Sequence, residues 1–244
     1  MPLFDPLIPS TLLILASGGA SDICKMPKPA EINVSPQTQD VQIITTRSLA
    51  DMQSQKIDTI NPHSFGGISV MQGFAQGEIK MEADMKLDYE YVLGNRGVCL
   101  WYEQINVRFL INPYVYIAKE VHKDRCMGRA VMEHEMKHVN ADKMIVNKYA
   151  QQVGQKIYDG LKARGFMVGP VKPEDAESVS KRMNETVSQI IEVEMKRLEI
   201  DRMDLQASID TKEEYDRVAN ECPDFKVTEE MLGGGGSKSF GSRR

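Results

Sequence analysis

The sequence predicts an α+β fold, with a curved antiparallel sheet followed by a long helix and a second helix antiparallel to it. Three observations predict it. From Glu78 to Tyr91 the odd positions Ile79, Met81, Ala83, Met85, Leu87, Tyr89 and Tyr91 are apolar, and acids or lysines fill the even ones. Strict alternation of this length is the pattern of a strand with one wet face in an antiparallel sheet. The period then changes to that of a helix: Met127, Ala130, Val131, His134, His138, Ala141, Ile145 and Tyr149 share one stripe. A second stripe, Ala176, Val179, Met183, Val187, Ile190, Leu198, Leu205 and Ile209, follows a connection short enough to make the two helices antiparallel neighbours.

In chain order, Leu12 to Ala16 followed by Ser17-Gly-Gly-Ala20 has the apolar core and small-residue site of a secretory signal, so residues 1–23 read as a signal or a disordered lead. No Lys or Arg precedes Lys25, and the basic start of such signals is missing. The expected location is therefore periplasmic or secreted, with the cytoplasm as alternative. Residues 25–39 contain three prolines and read as an extended lead-in. A first strand is expected over Asp40–Thr46, a short helix over Ser48–Gln55 and a turn from Asn61 to Gly67. Gly94-Asn-Arg-Gly97 turns the long strand back into a second over Val98–Ile111, and Tyr114–Ala118 follows Asn112-Pro113 as a third. The first long helix is expected to start at an Asp124 N-cap and to stop at Gly165, with Gly154 and Gly160 loosening its last third. Gly165 to Pro173 reads as a loop, and the second helix runs from Glu174 to about Ser208. A break at Ile209 then opens a fresh helical turn capped by Asp210. One domain over 24–222 is expected, with a flexible Gly/Ser-rich tail over 223–244.

Hydrophobic and charged fractions of 41% and 27% are ordinary for a globular protein, and 244 residues can bury a sizeable core. A net charge of −5, with no basic cluster carrying interleaved aromatics, argues against a nucleic-acid partner. No apolar run is long enough for a transmembrane segment. The oligomeric state is left open. Cys24, Cys99, Cys126 and Cys222 are scattered without a CxxC pair, which fits two disulfides in an exported protein. Of the three possible pairings, Cys99 with Cys126 and Cys24 with Cys222 are expected; four reduced thiols are the cytosolic alternative.

Two of the four histidines fall in His134-Glu135-Met136-Lys137-His138. Residues four apart lie one above the other on a helix, so both imidazoles can grip one Zn²⁺, with Glu135 beside it as a base. A catalytic zinc needs a third protein ligand. Asp142 sits about 12 Å along the axis from His134 at ~1.5 Å per residue, too far to share the ion, and reads as exposed or as a supporting residue. Glu194 and Asp201 interrupt the apolar stripe of the second helix, where an acid needs a partner. If Arg164 pairs with Glu174 across the connection, His138 lies opposite Ile200, which favours Asp201 as the third metal ligand. Glu194 and Asp210 remain alternatives.

With this motif, the preceding sheet and the cysteines, the chain resembles the zincin metallopeptidases, and within them bacterial proteins described as secreted zinc-dependent proteases of unknown function. HExxH and its helix carry the resemblance, together with a fainter likeness at Ile209-Asp-Thr-x-x-Glu-Tyr215 ahead of Cys222. The resemblance implies that His134 and His138 bind zinc and that Glu135 is the general base. The expected function is hydrolysis of a peptide or protein substrate, with Tyr215 a candidate to stabilise the oxyanion and Tyr114–Ala118 an edge strand for the substrate. The alternative is a catalytically inactive cell-envelope structural or interaction protein, in which zinc or a pair of buried histidines is a staple.

Overall fold

The computed structural model describes residues 10–13, 23–54 and 70–233. The expected signal cleavage site, the expected Asn61–Gly67 turn and the tail beyond Gly233 lie outside them. The elements are β1 (Ser10–Leu13), β2 (Glu31–Thr38), β3 (Gln42–Ile44), α1 (Leu49–Gln53), β4 (Gly73–Val92), β5 (Gly97–Ile117), α2 (Lys119–Lys123), α3 (Arg125–Arg164) and β6 (Met167–Val171). A 3-10 turn over Pro173–Asp175, α4 (Ala176–Ala207) and α5 (Lys212–Glu221) complete the order. No helix among the described residues is long and apolar enough to cross a membrane.

The α+β class with one sheet and a long helix is as expected, but the sheet is mixed, not antiparallel. β2 pairs in parallel with Gln104–Ile111 of β5, and β3 pairs in parallel with Tyr114–Tyr116 of the same strand. β1 on β2 and β6 on β5 are antiparallel. β4 pairs with β5 across a turn in which Leu93, Gly94 and Asn95 all have positive φ. Parallel partners need a long crossover, and local alternation along the chain carries no sign of one. Two prolines also hid strands. Pro36 nevertheless sits inside β2, in parallel register with Phe109 of β5. Pro113 lies between the end of the β2 register at Ile111 and the start of the β3 register at Tyr114. The second and third strands are therefore one, and Tyr114–Tyr116 is covered by β3 instead of forming an edge.

The described chain forms two compact units, each assembled from three stretches. The first contains the described parts of Met1–Gln39, with Glu78–Asn112 and Asp142–Arg202. Its core comprises Ile32 and Val34 of β2, Ile105, Val107, Phe109 and Ile111 of β5, and the buried stripes of α3 and α4. Gly154 and Gly160 do not loosen α3; they are points of close approach. A Cβ at Gly154 would lie 3.3 Å from Val34, and one at Gly160 would lie 2.5 Å from Ile190 Cδ1. The Tyr102 hydroxyl donates to the Met183 carbonyl at 2.6 Å, and its burial pushes the phenol's pKa up. Gly165 ends α3 with φ +104, after which β6 replaces the expected loop.

Asp142 is 3% exposed, not on the surface. Arg202 grips it with both nitrogens of its fork, Nε to Oδ1 at 2.6 Å and Nη2 to Oδ2 at 2.8 Å. Arg202→Met leaves a buried carboxylate without its main counter-charge and is expected to cost about 3 kcal/mol. A thermal scan should show the melting point lower by roughly 6–12 °C for a chain of this size; an unchanged value removes the pair from the stability account.

The second unit contains Asp40–Gly77, Pro113–Ala141 and Met203 onward, in their described parts. Its core gathers Leu49 and Met52 of α1, Phe74 of β4, Val115 and Ile117 of β5, Met127, Ala130, Val131 and Val139 of α3, and Val218 of α5. A capping box of Ser48 and Asp51 starts α1. Asp124 caps α3 as expected, accepting from the Met127 amide at 2.8 Å. Asp210 does not cap α5. Thr211 does, accepting from the Glu214 amide at 3.2 Å.

Both disulfides form, but not in the expected pairing. Cys24 bonds Cys99 and Cys126 bonds Cys222, with Cα atoms 5.7 and 5.8 Å apart. Each bond closes within its own unit, a partition that spacing along the chain does not reveal. Bonds of this kind persist in oxidising compartments outside the cytoplasm.

Candidate metal centre

Within the second unit, α3 places His134, Glu135 and His138 on its buried side, at 7%, 4% and 6% exposure. One donor atom from each lies within 4.8 Å of the others. The return from α4 into α5 supplies a second carboxylate. Because Thr211 serves as the cap, Asp210 is free to turn inward, and its Oδ1 lies 3.4 Å from His134 Nε2 and 3.2 Å from His138 Nε2.

The other ring nitrogens are also engaged. His134 Nδ1 faces Glu214 Oε1 at 3.3 Å. His138 Nδ1 faces Gln206 Oε1, and Gln206 Nε2 donates to the His138 carbonyl at 3.1 Å, which fixes the orientation of the amide. Four ring nitrogens therefore meet oxygen acceptors, while a neutral imidazole carries a single N–H. Each buried ring must either take a second proton or point an Nε2 lone pair at a cation shared with Asp210. The second choice leaves Nδ1–H donating to Glu214 and Gln206, the arrangement that orients metal-bound histidines. The centre can thus hold a metal ion.

The surrounding charges, taken without an ion, favour the first choice at His138. Burial works against the Asp210 charge, yet hydrogen bonds from His134 and His138 hold its carboxyl well below the usual range. Burial likewise opposes charge on His138, and Asp210 outweighs it, so that ring's pKa is raised. Glu214 is drawn down to about 2, first by Arg217, with Lys137 assisting against partial burial. Lys137 Nζ is 2.6 Å from its Oε2 and Arg217 Nη2 is 2.8 Å from its Oε1.

Glu135, whose carboxylate lies within 4.8 Å of a donor atom on each ring, is held differently. Burial pushes its carboxyl up to about 7, while the two histidines and a hydrogen bond from the Ala75 backbone pull the other way. The start of β4 passes so close that a Cβ on Gly73 would lie 3.1 Å from Glu135 Oε1 and 2.5 Å from Val131 Cγ1. Tyr215 donates to Asp210 Oδ1 at 3.2 Å, and its ring lies 5.7 Å from that of His134. It thus braces the carboxylate between the two histidines.

Asp201, the expected third ligand, is engaged elsewhere. In the first unit its Oδ2 accepts from Lys148 Nζ at 2.6 Å and from Tyr149 at 3.1 Å. Glu194 is buried as an interruption of the stripe suggests, and its partner is Arg197 at 2.7 Å. Asp210, the remaining alternative, is the carboxylate that meets both rings.

Comparison with protein-family models, curated proteins and solved structures finds no match.

Sequence reasoning gave no role to Gln206 or Glu214. Glu214 lay within the Asp-Thr-x-x-Glu-Tyr stretch, three residues past a Thr that signals a cap. Gln206 gave no signal, because one polar residue near a helix end is unremarkable. Glu214→Ala is expected to weaken metal affinity by about 10–100-fold, the usual cost of losing a partner that orients a ligand. Titration against a competing chelator measures this, and unchanged affinity would show that His134 needs no such orientation.

Proposed function

We propose that the chain is a zinc-dependent metallopeptidase in which His134, His138 and Asp210 hold the ion and Glu135 is the general base. The observation that carries it is the placement of Asp210 Oδ1 against both Nε2 atoms while both Nδ1 atoms are engaged by Glu214 and Gln206. Two imidazoles and one carboxylate, with no thiolate, form a donor set that leaves a fourth position open in catalytic zinc sites. Bonds of about 2.0–2.1 Å in a tetrahedron imply donor–donor edges of about 3.3–3.4 Å. The N···O separations of 3.4 and 3.2 Å are close to that value. Glu135 adjoins His134 in sequence, projects from a different angle of the helix, and takes a hydrogen bond from the β4 backbone instead of from either ring. It suits proton transfer better than ligation.

Held by His134, His138 and Asp210, a zinc ion would supply a Lewis acid for a scissile carbonyl and would lower the pKa of water at the site toward about 7. Glu135 accepts the proton from the attacking water and delivers it to the departing amine nitrogen. Glu214 and Gln206 keep the two Nδ1–H groups pointing outward, so that both Nε2 lone pairs converge. Burial of the centre excludes bulk water from the exchange. HExxH and its helix support the likeness to zincins, and the two disulfides support export to an oxidising compartment.

The test is elemental analysis of the folded protein followed by peptide hydrolysis. One zinc per chain is expected, with cleavage of an unstructured protein substrate lost on chelation and restored by zinc. Folded protein that takes up no metal from zinc-replete buffer ends the proposal.

A further inference from the structure

We propose that the Cys126–Cys222 disulfide is a redox clamp on the metal centre, so that its reduction weakens the hold on the ion. The clamp presupposes that His134, His138 and Asp210 hold zinc as proposed above. Its basis is a shared register. His134 lies eight residues after Cys126 on α3, and Glu214 lies eight residues before Cys222 on α5. The disulfide and the His134–Glu214 contact are therefore two rungs of one antiparallel helix pair, about 12 Å apart at ~1.5 Å per residue.

Apart from the disulfide, α5 is joined to α3 through Glu214, which meets His134 and Lys137, and through Val218 in the core. It has ten residues, and Val218 is its one buried side chain. An isolated helix of that length is marginal in water. Near the disulfide a 3.7 Å ion pair joins the exposed Arg129 of α3 to the partly exposed Glu221. Yet α5 and the residues just before it contribute Asp210, Glu214 and Tyr215. Freeing the covalent rung lets this helix fray from its Cys222 end toward the contacts that orient His134.

The two disulfides also differ in access. Cys24 and Cys99 are 3% and 1% exposed and are enclosed by Trp101, Met26 and Met167. Cys222 is just as buried, at 4%, but Cys126 is only half-buried. A dithiol reductant therefore meets Cys126 first. Its thiolate bonds Cys126 Sγ, the intramolecular S–S bond breaks, and Cys222 leaves as a thiolate. The second thiol of the reductant then displaces Cys126 and closes its own disulfide. Two electrons have passed to the protein, and both cysteine thiolates take up protons.

The experiment compares zinc affinity, by competition with a chromogenic chelator, in three samples of the full chain. These are the oxidised protein, the protein reduced by a water-soluble phosphine and capped with iodoacetamide, and a Cys126→Ser/Cys222→Ser variant, which has no thiols to act as substitute ligands. Affinity at least tenfold weaker in the second and third is expected, with peptide mapping showing Cys24–Cys99 intact in the capped sample. Equal affinity in all three overturns the clamp while leaving the metal centre standing, and so does prior reduction of Cys24–Cys99. If the oxidised protein binds no zinc, the metal centre itself falls and the clamp with it. Should the variant not fold, the capped sample alone decides.

Discussion

Glu135→Gln is expected to keep one zinc per chain and to lower peptide hydrolysis by about 100- to 10,000-fold, the usual contribution of a positioned general base. The substitution preserves shape. Its amide oxygen still accepts from the Ala75 backbone, and it adds no atom against Gly73, where the strand leaves little room beside Glu135 Oε1. What disappears is the capacity to take a proton from water. The two histidines and Asp210 are untouched, so zinc content separates loss of the base from loss of the ion. Zinc-loaded variant that cleaves at the wild-type rate would remove Glu135 from the mechanism. Loss of the zinc instead would mean that this carboxylate is itself a ligand.

The motif helix was legible because its signals are local. The stripe from Met127 to Tyr149 is buried throughout, both histidines face inward, and Asp124 caps the start. Each of these follows from residues within one or two turns of one another. The long amphipathic strand was legible for the same reason and runs over Gly73–Val92. What could not be read was pairing at a distance. The parallel placement of β2 and β3 on β5 depends on a crossover, and the disulfide partners depend on which unit each cysteine enters.

The third ligand shows how one such distance propagates. Treating the connection after Arg164 as a simple turn sets His138 opposite Ile200. In the structure β6 intervenes, and five residues of strand at ~3.3 Å each advance the chain by about 16 Å, equivalent to about eleven residues of helix. Gly160 packs on Ile190, twelve residues past its simple-turn partner Ser178 and close to that advance, while His138 meets Gln206, only six past Ile200. Asp201 is left beside Lys148 and Tyr149. The inward turn of Asp210 follows from Thr211 taking the cap, a choice between two adjacent capping residues that composition alone does not make.

Asp210→Ala is therefore expected to weaken zinc affinity by more than about 100-fold, beyond the range for partners that only orient a ligand. It removes one of three proposed ligands and takes from both Nε2 atoms the acceptor they share. It also leaves the Tyr215 hydroxyl without its bond to that carboxylate. Asp201→Ala serves as the control, because it gives up contacts with Lys148 and Tyr149 in the other unit, and should leave zinc affinity within experimental scatter. Competition with a chelator of known affinity measures both variants on one scale. The opposite result, with Asp201→Ala losing the ion and Asp210→Ala keeping it, would restore the simple-turn register and reduce Asp210 to a hydrogen-bond acceptor for two protonated rings. Asp210→Asn refines the outcome. It retains an oxygen facing the histidines but removes the negative charge, so zinc binding that survives Asn and not Ala would assign the role to geometry, and loss in both would assign it to charge.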